Sequence, residues 1–277
     1  MGKTFKILTI DGGGIKGLYS AKVLARFGSF KRTSILCMKQ TLFSTKYSSK
    51  ELENALVEVF GDKTMKDCHN MVCIPALNIN DSSCCIFKKD YGTNGRDNNK
   101  RCVDVALASA AAPTYFPVKE IDDQQYADGG LFANNPTLVG LLEFVYKVLP
   151  QFPEHDFNRV EILSISSFEI AHGQKHGKNN KSFWNWKTTL FDAYSQGQAK
   201  FESFLLDKII PQLKFEVINH RVKNEKPSND ISKLIDMDSA SAPALKELKS
   251  KGKSVGEIEY VKPELINFFN TNKTISI

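Results

Sequence analysis

FKILTIDGGGIKGLYSAKVLARF, residues Phe5 to Phe27, decides the fold of this chain. Lys6 to Ile10 is a short run of apolar and β-branched residues, the pattern of a buried strand. Asp11 ends that run, and Gly12, Gly13 and Gly14 admit backbone angles that a Cβ would forbid. From about Ile15 to Phe27 apolar residues (Leu18, Ala21, Val23, Leu24 and Phe27) return at helical spacing. The stretch therefore reads as strand, glycine turn and helix. The first N–H groups of that helix have no partner within it, and its dipole makes the space above the turn favourable for negative charge. Two chemistries use such a turn: binding a phosphate, or stabilising the oxyanion formed when an acyl carbonyl is attacked.

Working outward, 277 residues with 42% apolar and 25% charged content are enough for a full core and ordinary for a soluble globular protein. A net charge of +6 serves solubility and weakly favours anionic partners such as an acidic membrane surface. No apolar run approaches the length of a membrane span, and no signal peptide opens the chain. Gly2 follows Met1, but Lys6 stands where a myristoylation signal wants Ser or Thr. The expected location is cytoplasmic, peripheral at a membrane at most. The cysteines (Cys37, Cys68, Cys73, Cys84, Cys85 and Cys102) form no C-x-x-C pair and read as reduced thiols.

Gly28 to Lys46 is basic, carrying Lys31, Arg32, Lys39 and Lys46 and no acidic residue, and reads as an irregular segment. Ser48 to Phe60 is a helix opened by a Ser48/Glu51 capping box and stopped by Gly61. Met71 to Ile79 and Ser83 to Lys88 are two strands joined near Asn80-Asp81. Tyr91 to Lys100 is a polar loop. Val103 to Ala112 is a tightly packed helix ending at Pro113. Tyr126 to Gly130 is a strand end running into a turn. Asn135 and Pro136 suit the N-cap and first position of a helix buried through Leu138, Leu141, Leu142, Val145 and Leu149. Val160 to Ile165 is the second strong core strand. Ala171 to Lys181 is a polar loop, and Thr188 to about Ile210 a long helix built on Phe191, Tyr194, Phe201, Phe204 and Leu205. A strand over Phe215 to Val222 and short helices at Ala244–Leu248, ending before Gly252, and Pro263–Phe269 complete the chain. Strands alternating with helices imply a layered α/β domain. No linker divides it, so 1–277 reads as a single domain, with a motif-bearing core over about 5–165 and a C-terminal extension over about 180–277.

Gly12, Gly14 and Gly17 fit G-x-G-x-x-G, but a dinucleotide site also needs an acidic residue about twenty positions on. The first after Asp11 is Glu51, and the glycine turn carries no G-K-[ST], so a nucleotide-binding α/β protein is the weaker reading. The oxyanion reading gains from a second cluster. Asp128-Gly129-Gly130 ends a strand, where an aspartate either caps the turn or acts as a base toward a neighbour.

Asp11 to Gly17 (D-G-G-G-I-K-G), Ser109 to Pro117, Asp128-Gly129-Gly130 and Asn134-Asn135-Pro136 together resemble the patatin-like phospholipases of the bacterial type, over roughly Phe5 to Ile165. The resemblance implies a three-layer α/β/α sandwich with a mainly parallel central sheet. It also implies lipid acyl-ester hydrolysis by a Ser–Asp dyad, with no metal or organic cofactor and no nucleic acid. The partner would be a lipid or phospholipid substrate met at a membrane surface. Carried over, Gly12, Gly13 and Gly14 form the oxyanion hole, Asp128 is the base, and Asp11, Gly17, Gly129 and Gly130 support the two turns.

One element of that family is missing. No G-x-S-x-G follows the first helix, where the family places it. A nucleophile elbow needs a strand, a sharp turn and a helix, and the stretch after Phe27 is too short, too basic and lacks the glycines. The strand–serine–helix block reads as deleted, which would leave a gap or an unpaired edge in the sheet. Ser164-Ile165-Ser166-Ser167 also departs from the S-I-G-T-G of relatives. Ser29, Ser34 and Ser109 read as structural, and the nucleophile is unidentified. The expected function is an impaired or inactive lipid acyl hydrolase. The alternative is a silent lipid- or partner-binding pseudoenzyme. His172 and His176 read as loop residues, Cys84-Cys85 as strand packing, and Phe183, Trp184 and Trp186 as either lipid-touching or helix-start packing.

Overall fold

The computed structural model describes residues 3–26, 49–89, 91, 95–113, 115–170, 183–223, 227–235 and 241–269. The basic segment after Phe27, Ser48 of the capping box, Ser29, Ser34, the loop after Ile170 with His172 and His176, and the side chains of Phe183, Trp184 and Trp186 lie outside that description.

In chain order the elements are β1 (Lys3–Ile10), α1 (Gly17–Arg26), α2 (Ser49–Phe60), β2 (Cys73–Asn78), β3 (Ser83–Lys88), α3 (Cys102–Ser109), β4 (Lys119–Ile121), β5 (Gln124–Asp128), α4 (Gly130–Ala133), α5 (Thr137–Glu143), β6 (Phe157–Ile165), α6 (Phe183–Ile209), β7 (Glu216–Val222), α7 (Asn229–Leu234), α8 (Ala242–Tyr260) and α9 (Pro263–Phe269). A π-helical turn, Phe144–Val148, continues α5.

Strands β1, β6 and β7 form a parallel sheet with β6 in the middle. Side chains alternate along β6 as a pleat requires. Leu163 and Ile165 pack with Leu18, Tyr19 and Leu24 of α1 and with Leu245 and Leu248 of α8. Val160 and Ile162 face the other way, onto Leu141 of α5, Phe144 and Leu206 of α6. Helices thus cover both faces of the sheet, the layering that α/β alternation implies. Beside it stands a second sheet, antiparallel, in the order β3-β2-β5-β4 and packed on α3 through Phe87, Ala76, Val105 and Ala108. Tight turns at Ser82 and at Asp122-Asp123, all at positive φ, join its neighbouring strands. Connections that short cannot make a parallel crossover.

Ile7 and Ile162 stand opposite one another in register. An interior place for β1 is not what the structure gives: among the described residues β1 pairs only with β6. On β1, Leu8 and Ile10 remain 39% and 41% exposed.

Three helices differ from their expected form. Helix α5 begins at Thr137, one residue beyond Pro136, with the Asn135 carboxamide accepting from the Thr137 N–H at 3.2 Å. Helix α8 runs through Gly252 instead of stopping there. A Cβ at Gly252 would stand 2.6 Å from the Tyr19 carbonyl oxygen, so the glycine marks a close helix crossing with α1 and not a helix end. The third is α6. Tyr194, Phe201 and Phe204 face solvent, while Ser195, Glu202 and Leu206 are buried. The polar inner face has work to do: Gln198 and Glu202 accept from the N–H groups of Asn134 (3.0 Å) and Leu138 (2.9 Å) at the start of α5, and buried amides need partners.

Among the described residues Cys68, Cys73, Cys84, Cys85 and Cys102 are free thiols, and no helix is long and apolar enough to cross a membrane.

Candidate active site

The glycine turn leaves the C-terminal end of β1. The Asp11 N–H still donates to the Ile165 carbonyl at 3.0 Å, extending the parallel ladder by one bond. Beyond it the chain swings over to α4, where the Gly12 N–H donates to the Asn134 carbonyl at 2.8 Å. The Gly12 amide is thereby engaged, although the sequence placed it among the oxyanion donors with Gly13 and Gly14. Gly14, at φ +54°, opens the single 3-10 turn Gly14–Lys16 that leads into α1.

Asp11 is buried beneath this turn. Its two carboxylate oxygens accept from Nη1 (2.9 Å) and Nη2 of Arg221, a bidentate pair donated by β7. Burial pushes the Asp11 pKa up to about 6, and the Arg221 guanidinium pulls the other way. Arg221 Nη1 also donates to Ser164 Oγ. Thr137 Oγ1 lies 3.0 Å from both Ser164 Oγ and Thr9 Oγ1 and donates to Asn135 Oδ1 at 2.6 Å. The network ties β7, β6, β1 and the start of α5 together under the glycines. Ser164 therefore serves packing, and so does Ser109, whose hydroxyl donates to the Pro75 carbonyl at 2.7 Å.

Asp128 ends β5, paired with Ala76 of β2. Its carboxylate accepts from the Gly130 N–H at 2.6 Å. Burial raises its pKa to about 6, offset in part by that amide. Gly129 is required here: a Cβ would sit 2.2 Å from the Pro75 carbonyl oxygen. We expect Gly129→Ala to separate β5 from β2 and to lower the urea midpoint well beyond the roughly 1 kcal/mol of an average substitution. A variant within about 0.5 kcal/mol of the parent would show that the turn has slack.

Asn134 joins the two clusters. A Cβ on Gly12 would stand 2.7 Å from Asn134 Oδ1; one on Gly130 would stand 3.3 Å from that same oxygen and 3.0 Å from Asp128 Oδ1. The structure thus gathers Asp11, Gly12, Gly13, Asn134, Asp128 and Gly130 at one place, although Asp11 and Asp128 belong to different sheets. A cavity of about 350 Å³ opens over the turn, lined by Gly12, Gly13, Lys16, Ser167, Arg221 and, from α6, Ser195 and Lys200. Ser167 comes close beside Gly13: its Cβ lies 2.6 Å from where a Gly13 Cβ would be. Arg221 and Glu202 went unnoticed in the sequence. The only signal for Arg221 is an arginine sharing one face of β7 with Val217, and nothing there names its partner.

Glu202 is a third carboxylate whose pKa burial raises, to about 7. For all three acids the folded state holds its proton more tightly than the unfolded chain does. The stability they contribute therefore falls as pH rises, from about 4 through 6 for Asp11 and Asp128 and through about 7 for Glu202. Asp128→Asn keeps an acceptor for the Gly130 N–H and removes the charge. At pH 8 it should raise stability by at most about 2–3 kcal/mol, at roughly 1.4 kcal/mol per tenfold change in proton affinity, and leave it unchanged near pH 4. Thermal melts at the two pH values test this; a lower melting temperature at pH 8 would show the carboxylate to be stabilised as an anion.

Comparison with known proteins bears on what this arrangement is. Residues 36–141 match the family model of the patatin-like phospholipases. The chain is 31% identical over 236 residues to a cGAMP-activated phospholipase of Vibrio cholerae serotype O1, covering 80% of this chain and 65% of that one. It is 28% identical over 251 residues to one of Escherichia coli, covering 86% and 70%. For one of Pseudomonas aeruginosa the figure is 26% over 299 residues, covering 90% and 87%. The chain thus spans about two thirds of the length of the V. cholerae relative.

Proposed function

We propose, from the match of residues 36–141 to the patatin-like phospholipase family model, that the scaffold is one for hydrolysing lipid acyl esters and that the chain as it stands performs that reaction poorly or not at all. The observation that supports the scaffold reading is Asn134, which draws the glycine turn and Asp128 to one place. In this reading the N–H groups of Gly13 and Gly14 face the developing oxyanion. Asp128, half-buried and with a pKa that desolvation raises to about 6, is poised near working pH as a base. Asp11 and Arg221 hold the turn from below. The substrate is a phospholipid or other lipid ester taken up at a membrane surface.

No G-x-S-x-G follows the first helix, and the pentapeptide Gly252-Lys253-Ser254-Val255-Gly256 lies inside helix α8 instead of at a strand-to-helix turn, so the acyl-enzyme cannot form by the family's route. That absence favours a second reading, a lipid- or partner-binding module without catalysis. The relatives named cGAMP-activated phospholipases make a cyclic dinucleotide the activator to try.

A thermal-shift series tests the binding half of the proposal. A soluble short-chain phospholipid, below its micelle concentration, should raise the melting temperature in a saturable way, and NAD and ATP at millimolar concentration should not. A shift with NAD or ATP and none with lipid would return the glycine turn to nucleotide binding. A shift with cGAMP would carry the relatives' activator over to this chain.

A further inference from the structure

Of the aromatic residues on which the sequence built α6, Tyr194, Phe201 and Phe204 lie on its outer face, and the Phe191 side chain falls outside the described residues. Tyr194 is 53% exposed, Phe201 60% and Phe204 54%. At 3.6 residues per turn these three and Lys208 fall within about 80° of arc. The Phe201 and Phe204 rings lie side by side, centroids 6.5 Å apart, and the Lys208 ammonium stands 5.6 Å from the Phe204 ring. Tyr194 keeps its hydroxyl on the Leu131 carbonyl at 2.7 Å, leaving its ring outward. Single exposed apolar residues are ordinary, but a stripe of large aromatics marks a surface that meets something apolar.

We propose that this face of α6 seats the protein on an anionic lipid bilayer. Phe201 and Phe204 enter the boundary between headgroups and acyl chains, and the lysines reach the lipid phosphates. The proposal rests on the lipid reading above. Charge selects the occupant. Lys200 and Lys208 flank the stripe against one acid, Asp207, and the whole chain carries +6, the pattern of an interfacial helix on acidic lipid. A second copy seated about a two-fold axis through the stripe would set these lysines against their own counterparts. Position argues the same way. Lys200 stands one turn before Phe204 and lines the cavity over the glycine turn, as do Ala199 and Ser203. A bilayer on the aromatic face therefore meets the rim of that cavity.

Co-sedimentation of the full chain with vesicles tests the surface. We expect binding to phosphatidylcholine vesicles containing phosphatidylglycerol, and markedly weaker binding to phosphatidylcholine alone. The double variant Phe201→Gln/Phe204→Gln should bind the acidic vesicles at least about tenfold more weakly. Its circular dichroism melt should match the parent's, because both rings are exposed. Lys208→Glu should narrow the difference between the two lipids. Equal binding by parent and double variant would overturn the proposal. So would a parent that ignores vesicles, or one that is a dimer by light scattering and becomes monomeric in the double variant. The short-chain lipid separates the two readings. A melting shift with that lipid but no vesicle binding removes the docking surface and leaves the lipid-ester reading. Vesicle binding that depends on Phe201 and Phe204, with no shift, does the reverse.

Discussion

Turnover of p-nitrophenyl acyl esters or phospholipids by this chain is expected to lie several orders of magnitude below that of a relative with an intact G-x-S-x-G segment. Acyl-transfer enzymes stripped of their catalytic residues keep only what the oxyanion hole and binding supply. Asp128→Ala should then alter the residual rate by less than about twofold, since a base without a nucleophile has nothing to deprotonate. A fluorophosphonate probe should leave the protein unlabelled. Robust turnover, abolished by Asp128→Ala and accompanied by one labelled serine in the mass spectrum, would show that another serine has taken the role. Two positions deserve the first look: Ser29, which follows a glycine soon after α1, and Ser167, which stands beside Gly13 at the cavity wall.

Removing the guanidinium from beneath the turn is expected to have the largest effect on folding. Arg221→Ala leaves the Asp11 carboxylate buried with no counter-charge, a loss of about 3–5 kcal/mol where the acid is ionised. Asp11 titrates at about 6 with Arg221 in place. Without it the carboxylate takes up a proton at still higher pH, since an opposite charge favours the ionised form. The penalty should therefore be full at pH 8 and shrink toward pH 5. The double variant Asp11→Asn/Arg221→Met should recover much of the loss, because it buries neither charge. Urea denaturation of the three proteins at both pH values gives the comparison. An Arg221→Ala protein that loses less than about 1 kcal/mol at pH 8, or as much at pH 5 as at pH 8, would place the weight of the turn on the Thr137–Ser164 hydroxyls instead.

The sequence by itself determined the parts whose physics is local. The Lys6–Ile10 and Val160–Ile165 runs read as strands, and three glycines before a helical pattern read as a tight turn leading into a helix. Asp128 at a strand end before two glycines announced a held carboxylate. The lack of a G-x-S-x-G after the first helix is likewise a fact of sequence, while the pentapeptide Gly252 to Gly256, which spells that pattern, proves to lie inside α8. Tertiary structure decided what depends on partners distant in the chain. Arg221 lies 210 residues from Asp11, and no periodicity connects a β7 arginine to a turn at the end of β1. Gly252 looks like a helix stop until α1 is laid across it, when the absent side chain becomes room for the Tyr19 carbonyl. Helix α6 was misjudged for a related reason. Amphipathic spacing assumes that the apolar stripe faces inward, yet its inner face meets the polar backbone ends of α4 and α5, which Gln198 and Glu202 satisfy. The aromatics were turned outward by hydrogen-bond demand, and a single sequence carries no record of which demand wins.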